Sequence, residues 1–174
     1  MLVYFVSKKS NYRNYPGVTP IGLAENALLH PPQSPAIYHP PCRLFSKLRV
    51  FSNAPASEMY LAHWSMYFAR CFGGIVEHPY DSLLWKIYNI NQVNTLDEFG
   101  GFFTVLDQYN FGFPTRKRTG LYIVGISPNE LPQQPLKLYI SEKKFDRLSP
   151  VQRSLTPPLL IDYFINIFSL IKKC

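Results

Sequence analysis

SEMYLAHWSMYFARCFGGIVEHP, residues 57–79, reads as a helix, a stop and a strand. Tyr60, Leu61, Trp64, Tyr67, Phe68 and Cys71 recur at helical spacing after an opening Ser57 and Glu58, and Gly73 with Gly74 ends the run. Trp64 falls in this apolar series and is expected in the core, as is Trp85 further on. Ile75 and Val76 then form a very short buried strand that ends in Glu77, His78 and Pro79. Upstream, Ala36, Ile37, Tyr38 and His39 make another β-prone run, which closes on Pro40, Pro41 and Cys42. Strand, helix and strand in that order make a βαβ unit, with parallel strands and a right-handed crossover. Both strand-end turns then lie at carboxyl ends of parallel strands, where open α/β sheets bind ligands.

The rest of the chain extends this unit. Residues 1–6 predict a first strand, and Thr19 with Pro20 predicts the start of a helix over about 20–29. Asp81 or Ser82 caps a short helix through Leu83, Leu84 and Trp85. The runs 102–106 and 120–126 predict an antiparallel pair joined by a connection that contains Gly112, Pro114 and the basic cluster Arg116, Lys117 and Arg118. Residues 127–150 read as loop. A terminal helix over 155–172 is entered through Thr156, Pro157 and Pro158. The expected fold is a single α/β domain over 1–174, with a small Rossmann-like sheet of parallel strands plus an antiparallel C-terminal pair, flanked by helices.

With 174 residues, 47% of them hydrophobic, the chain supports one core and is too short for two ordinary domains. Its formal charge of +7 makes a polyanion such as DNA the first candidate partner. Cys42, Cys71 and Cys174 are too few and too irregularly spaced for a disulfide framework, so a reduced, cytoplasmic setting is expected. His30, His39, His63 and His78 lack ligand spacing, so no metal site is expected. Neither the short apolar N-terminus nor the run Leu159–Ile171, broken by Asp162 and Asn166, reads as a signal peptide or membrane span.

Chemistry concentrates at PPCRLFS, residues 40–46. Each proline fixes its own φ and restricts the residue before it, so Cys42 stands on a stiffened strand-end turn. A thiol so placed is a candidate nucleophile, and Arg43 beside it is expected to lower its pKa. Glu77 closes the next strand. A carboxyl buried there is expected to have a raised pKa that nearby arginines pull back down. His78 offers a general base for a thiol hydrolase or a structural hydrogen bond, and Asp107 or Gln108 could contact a ligand at the end of a third strand.

PPCRLFS, IVEHP at 75–79 and YNFGFPTRKRTGLYIVGI at 109–126 follow one another in an order that resembles the DNA cytosine-5 methyltransferase family. That family carries a PPCxxFS turn, an ENV strand end, and a segment of the form YGVPQxRxR before a hydrophobic strand. The resemblance, over residues 36–126, implies a class I methyltransferase-like sheet. It implies Cys42 as the nucleophile toward ring carbon 6 of cytosine and Glu77 as the acid that holds ring nitrogen 3. Pro41, Arg43, Ser46, His78, Arg116 and Arg118 are then the substrate-binding residues, with Arg116 and Arg118 as supporting cations. Lys143, Lys144 and Arg147 would add phosphate contacts.

The chain also departs from the family pattern. The 41 residues before Cys42 contain no glycine-rich DLFxGxGG turn, since Gly17 and Gly22 stand isolated. S-adenosylmethionine is therefore implied only by the resemblance, and no cofactor-binding residue is assigned. His78 and Pro79 replace the asparagine and valine of ENV, Thr115 stands where glutamine is usual, and residues 127–154 leave no room for a full target recognition domain. The resemblance implies a DNA pyrimidine-modifying or DNA-binding protein of phage or prophage type. The alternative is an inactive nucleic-acid-binding or protein-interaction module on the same scaffold, with a partner protein supplying the missing elements.

Overall fold

A computed structural model describes residues 1–22, 27–138 and 145–172. Six strands form one sheet: β1 (Leu2–Tyr4), β2 (Thr19–Ile21), β3 (Ala36–Tyr38), β4 (Gly74–Pro79), β5 (Gly101–Asp107) and β6 (Arg118–Val124), in the order β2-β1-β3-β4-β6-β5. β2, β1, β3 and β4 are mutually parallel, whereas β6 runs antiparallel to both β4 and β5. β5 therefore points the same way as β4. The ends of β3, β4 and β5 and the beginning of β6 share one edge.

The helices α1 (Ser57–Phe72), α2 (Leu83–Ile87), α3 (Pro150–Ser154) and α4 (Pro158–Leu170) flank this sheet. Strand alternation divides the core between its two faces. Ile37, Ile75, Leu121 and Ile123 pack with Leu160, Ile161, Phe164 and Ile167 of α4. Tyr38, Val76, Tyr122 and Val124 pack with Ala62, Trp64, Met66 and Ala69 of α1. On the α1 face Tyr4 stacks on Tyr38 at 5.5 Å between ring centroids, and Trp64 leans on Tyr4 at 5.2 Å. The large ring area compensates for strands only three residues long. Burying each such side chain contributes about 1.5–3 kcal/mol.

The expected βαβ unit is present, with β3 and β4 parallel on either side of α1. Its double glycine has a steric reason. Gly74 adopts φ 135°, and a Cβ there would lie 2.1 Å from the Ala36 carbonyl oxygen. Ser82 caps α2 by accepting from the Leu84 amide, and Trp85 donates to the Pro79 carbonyl at 2.8 Å. Trp64 and Trp85 are both buried, as their spacing indicates.

The helix expected over 20–29 is corrected. Thr19–Ile21 is strand β2, paired with β1, and Ala27–Leu29 is a single 3-10 turn, while residues 23–26 lie outside the described residues. Thr-Pro resembles a helix start, but pairing with β1 overrides that local preference. Pro20 is tolerated because β2 lies at the sheet margin, where a missing N–H breaks no ladder. At the other margin Val93 and Leu96 form isolated bridges with Phe103 and Phe102 of β5. Among the described residues no helix is long and apolar enough to cross a membrane.

Candidate functional site

The PPCRLFS turn is held at both ends. The Cys42 carbonyl accepts from the amides of Phe45 at 3.0 Å and Ser46 at 2.9 Å, and the Phe45 carbonyl accepts from Leu83 at the start of α2. Phe45 is buried as the plug of this turn, packed edge-on against His78. Ser46 precedes a 3-10 turn without capping it through its side chain. Pro41 is half-buried, and Cys42 is a partly exposed free thiol.

Glu77 lies opposite Leu121 in the β4–β6 register, so its side chain falls on the α4 face. Register with β3 places His39, one residue beyond the Tyr38–Val76 pair, beside it. The His39 Nδ1 lies 3.0 Å from one Glu77 oxygen, and its Nε2 lies 3.0 Å from the buried Tyr12 hydroxyl. A carboxylate only accepts, so Nδ1 carries the proton; in the neutral ring Nε2 then accepts from Tyr12. Gln108, at the end of β5, donates to the other Glu77 oxygen at 3.2 Å and to Thr119 Oγ1 at 3.0 Å. His39 and Glu77 keep only 12% and 17% of their side-chain surface exposed, so the pair is largely withdrawn from solvent.

Charge completes the picture. Burial alone pushes the Glu77 carboxyl up, but the His39 hydrogen bond and charge, together with the Lys117 ammonium, outweigh it and hold the group below the ordinary carboxylate range. Glu77 is thus an anion at rest, which corrects the expectation of a raised pKa. Cys42 moves the other way: burial raises its pKa and the Glu77 charge raises it further, with Lys117 pulling back. The thiol is protonated at neutral pH. Arg43, expected to activate it, instead donates through Nε and Nη2 to the two carboxylate oxygens of Glu58 in α1.

The other cations divide similarly. Arg116 Nε donates to Asp107 at 3.0 Å, and the same carboxylate accepts from the amides of Tyr109 and Lys117, clamping the two ends of the 108–117 connection. Arg118 lies 3.8 Å over the Tyr80 ring. Lys117, between them, is the cation whose charge acts on both Glu77 and Cys42, and burial lowers its own pKa. Its Nζ donates to the Arg153 carbonyl at 3.0 Å. Period-two alternation could have identified it, since Lys117, Thr119 and Leu121 share the face of Glu77. Register likewise pointed to His39, whereas nothing in the sequence marked Tyr12. Arg147 is exposed, and Lys143 and Lys144 lie outside the described residues.

His78 falls on the opposite face. Its Nδ1 lies 2.6 Å from Ser82 Oγ, and burial pushes its pKa down to about 4. It makes no hydrogen bond to Cys42, so the thiol–imidazole pair that a hydrolase requires is not formed. The turn after β1 does not fit the glycine cradle that S-adenosylmethionine would require there. Phe5 occupies φ 63° with a full side chain, and the amides of Phe5 and Val6 both donate to the Ile21 carbonyl, at 2.7 and 3.4 Å.

Cys42, Glu77 and Lys117 thus meet at the carboxyl edge of the sheet, while Arg43, Arg116, Arg118 and His78 have other partners. Comparison of the chain with protein-family models gives no match, and comparison with curated proteins gives none.

Proposed function

We propose that the chain is a cytosine-5-methyltransferase-like protein that engages a pyrimidine of DNA at the edge formed by Cys42, Glu77 and Lys117, in a reduced cytoplasmic setting. What supports this reading is the placement of the turn after β3, of Glu77 in β4 and of Lys117 just before β6 on one edge of the sheet. The resting charge state gives Glu77 two roles in sequence. As a carboxylate it takes the Cys42 proton while Sγ bonds to ring carbon 6. The C5=C6 electron pair then shifts to C4=C5, the C4=N3 pair moves to N3, and N3 receives that same proton from Glu77. The adduct exchanges the hydrogen on carbon 5 with solvent and reverts by expelling the thiolate, so no donor enters the step.

The test is release of tritium from [5-3H]cytosine in single-stranded and duplex DNA, with no methyl donor present. Release by the native protein that Cys42→Ser abolishes is the expected result, and single strands should react faster because no base need be extruded. A second reading rests on the protonated thiol and the turn after β1: a nucleic-acid-binding or protein-interaction module without chemistry, or one whose missing parts a partner protein supplies. Salt-sensitive DNA binding that survives Cys42→Ser, with no tritium release, would establish the module reading over the enzyme. Absence of DNA binding at low salt would overturn both the enzyme and the nucleic-acid-binding module and point to a protein-interaction module instead.

A further inference from the structure

A cavity of about 470 Å³ opens on the α1 face, where β4 and β5 begin, at the opposite end of the strands from Cys42. Its volume lies in the range of small-molecule sites. Arg70 from the last turn of α1, Tyr122 from β6 and Tyr88 after α2 make its wall. The Arg70 guanidinium lies 4.9 Å from the Tyr88 centroid, 5.6 Å from that of Tyr122 and 4.0 Å from that of Phe99. A cation plane set among rings is a stacking surface for a planar heterocycle.

The charge of this wall is already balanced. Arg70 Nη2 lies 3.5 Å from Asp97, whose oxygens also accept from the Tyr122 hydroxyl at 2.6 Å and from the amides of Phe99 and Gly101. Asp97 is saturated, so neither a metal ion nor a second cation is called for. Glu98 at the rim disfavours a further anion. The rest of the lining supplies neutral hydrogen-bonding groups, the side chains of Asn89, Asn91, Gln92 and Thr95, none of which bonds to another described residue. Asn and Gln present a donor and an acceptor side by side, the pairing that matches the edge of a nucleobase.

We propose that this cleft binds a nucleobase, stacked against Arg70 and Tyr88 and read at its edge by the amides of Asn91 and Gln92. The base comes from a free nucleoside or from a single strand, and the site stands whether or not Cys42 reacts. Titration of the 15N-labelled full chain with adenosine, cytidine and a short single-stranded oligonucleotide tests it. Saturable shifts are expected at amides 88–97 and at the rest of the lining, Arg70, residues 101–103 and Tyr122. The double variant Asn91→Ala/Gln92→Ala, at two exposed positions, should weaken binding about 10-fold, as for loss of a base contact, and Cys42→Ser should leave it unchanged. Equal affinity for nucleoside and oligonucleotide assigns a free nucleoside; tighter, salt-sensitive oligonucleotide binding assigns a strand. Absence of saturable shifts at 89–97, or binding untouched by the double variant, would overturn the proposal.

Discussion

Removing the His39 imidazole leaves the Tyr12 hydroxyl and one oxygen of Glu77 without their partner. We expect His39→Ala to cost about 2–4 kcal/mol in urea unfolding, the desolvation penalty of two orphaned groups. The pH dependence should also change sign. In the native protein the folded Glu77 pKa lies below its unfolded value, so its contribution to stability is present above the unfolded pKa and lost as pH falls through the folded one. Without His39 only the Lys117 and His78 charges oppose burial, so we expect the folded pKa to rise above the unfolded value and stability to fall as pH climbs between the two. Unfolding curves across the acid range of native and variant check this. Cys42 carries a second prediction: burial raises its pKa, so iodoacetamide at neutral pH should label exposed Cys71 before Cys42, as read by peptide mapping. Removing the Lys117 charge by Lys117→Met should slow Cys42 labelling further. Cys42 and Glu77 were legible as strand-end residues because strand ends and proline turns are local features. Their protonation states were not, because these depend on His39 and Lys117, which reach the carboxylate only through sheet register.

Gly74 joins α1 to β4 at a point where no side chain fits. Gly74→Ala should destabilise the fold by about 3 kcal/mol or more, from the strained φ and the clash with Ala36, measured as a lowered urea midpoint. The α1–β4 joint was legible in advance, since helical spacing, a glycine stop and a β-branched pair agree there. β2 was not, because three residues reading Thr-Pro-Ile carry no strand period and acquire their structure from β1. Alternation along β4 also sends the two polar side chains of EHP to opposite faces of the sheet. Glu77 faces Gln108 and Lys117, whereas His78 faces Phe45, Ser82 and Trp85 across the sheet.

At the scale of the molecule the formal charge of +7 sets the long-range behaviour, and the cations near the site mostly have close partners. DNA affinity should fall linearly on logarithmic axes with added salt, and Arg118→Ala should reduce that slope by about 1 if Arg118 meets a phosphate. Fluorescence anisotropy across a salt series measures both. The parallel pairing of β3 with β4 and the antiparallel pairing of β5 with β6 followed from the βαβ unit and the two late strands, while the insertion of β6 between β4 and β5 and the placement of β2 at the margin required the whole sheet. That margin has a consequence for self-association. A sheet with a bare edge recruits strands from neighbouring molecules. Here Pro20 removes a donor from β2, and residues 93 and 96 bridge to β5 at the other side. At high concentration the folded chain should therefore resist edge-to-edge polymerisation, and replacing Pro20 with valine would restore a template for fibril growth.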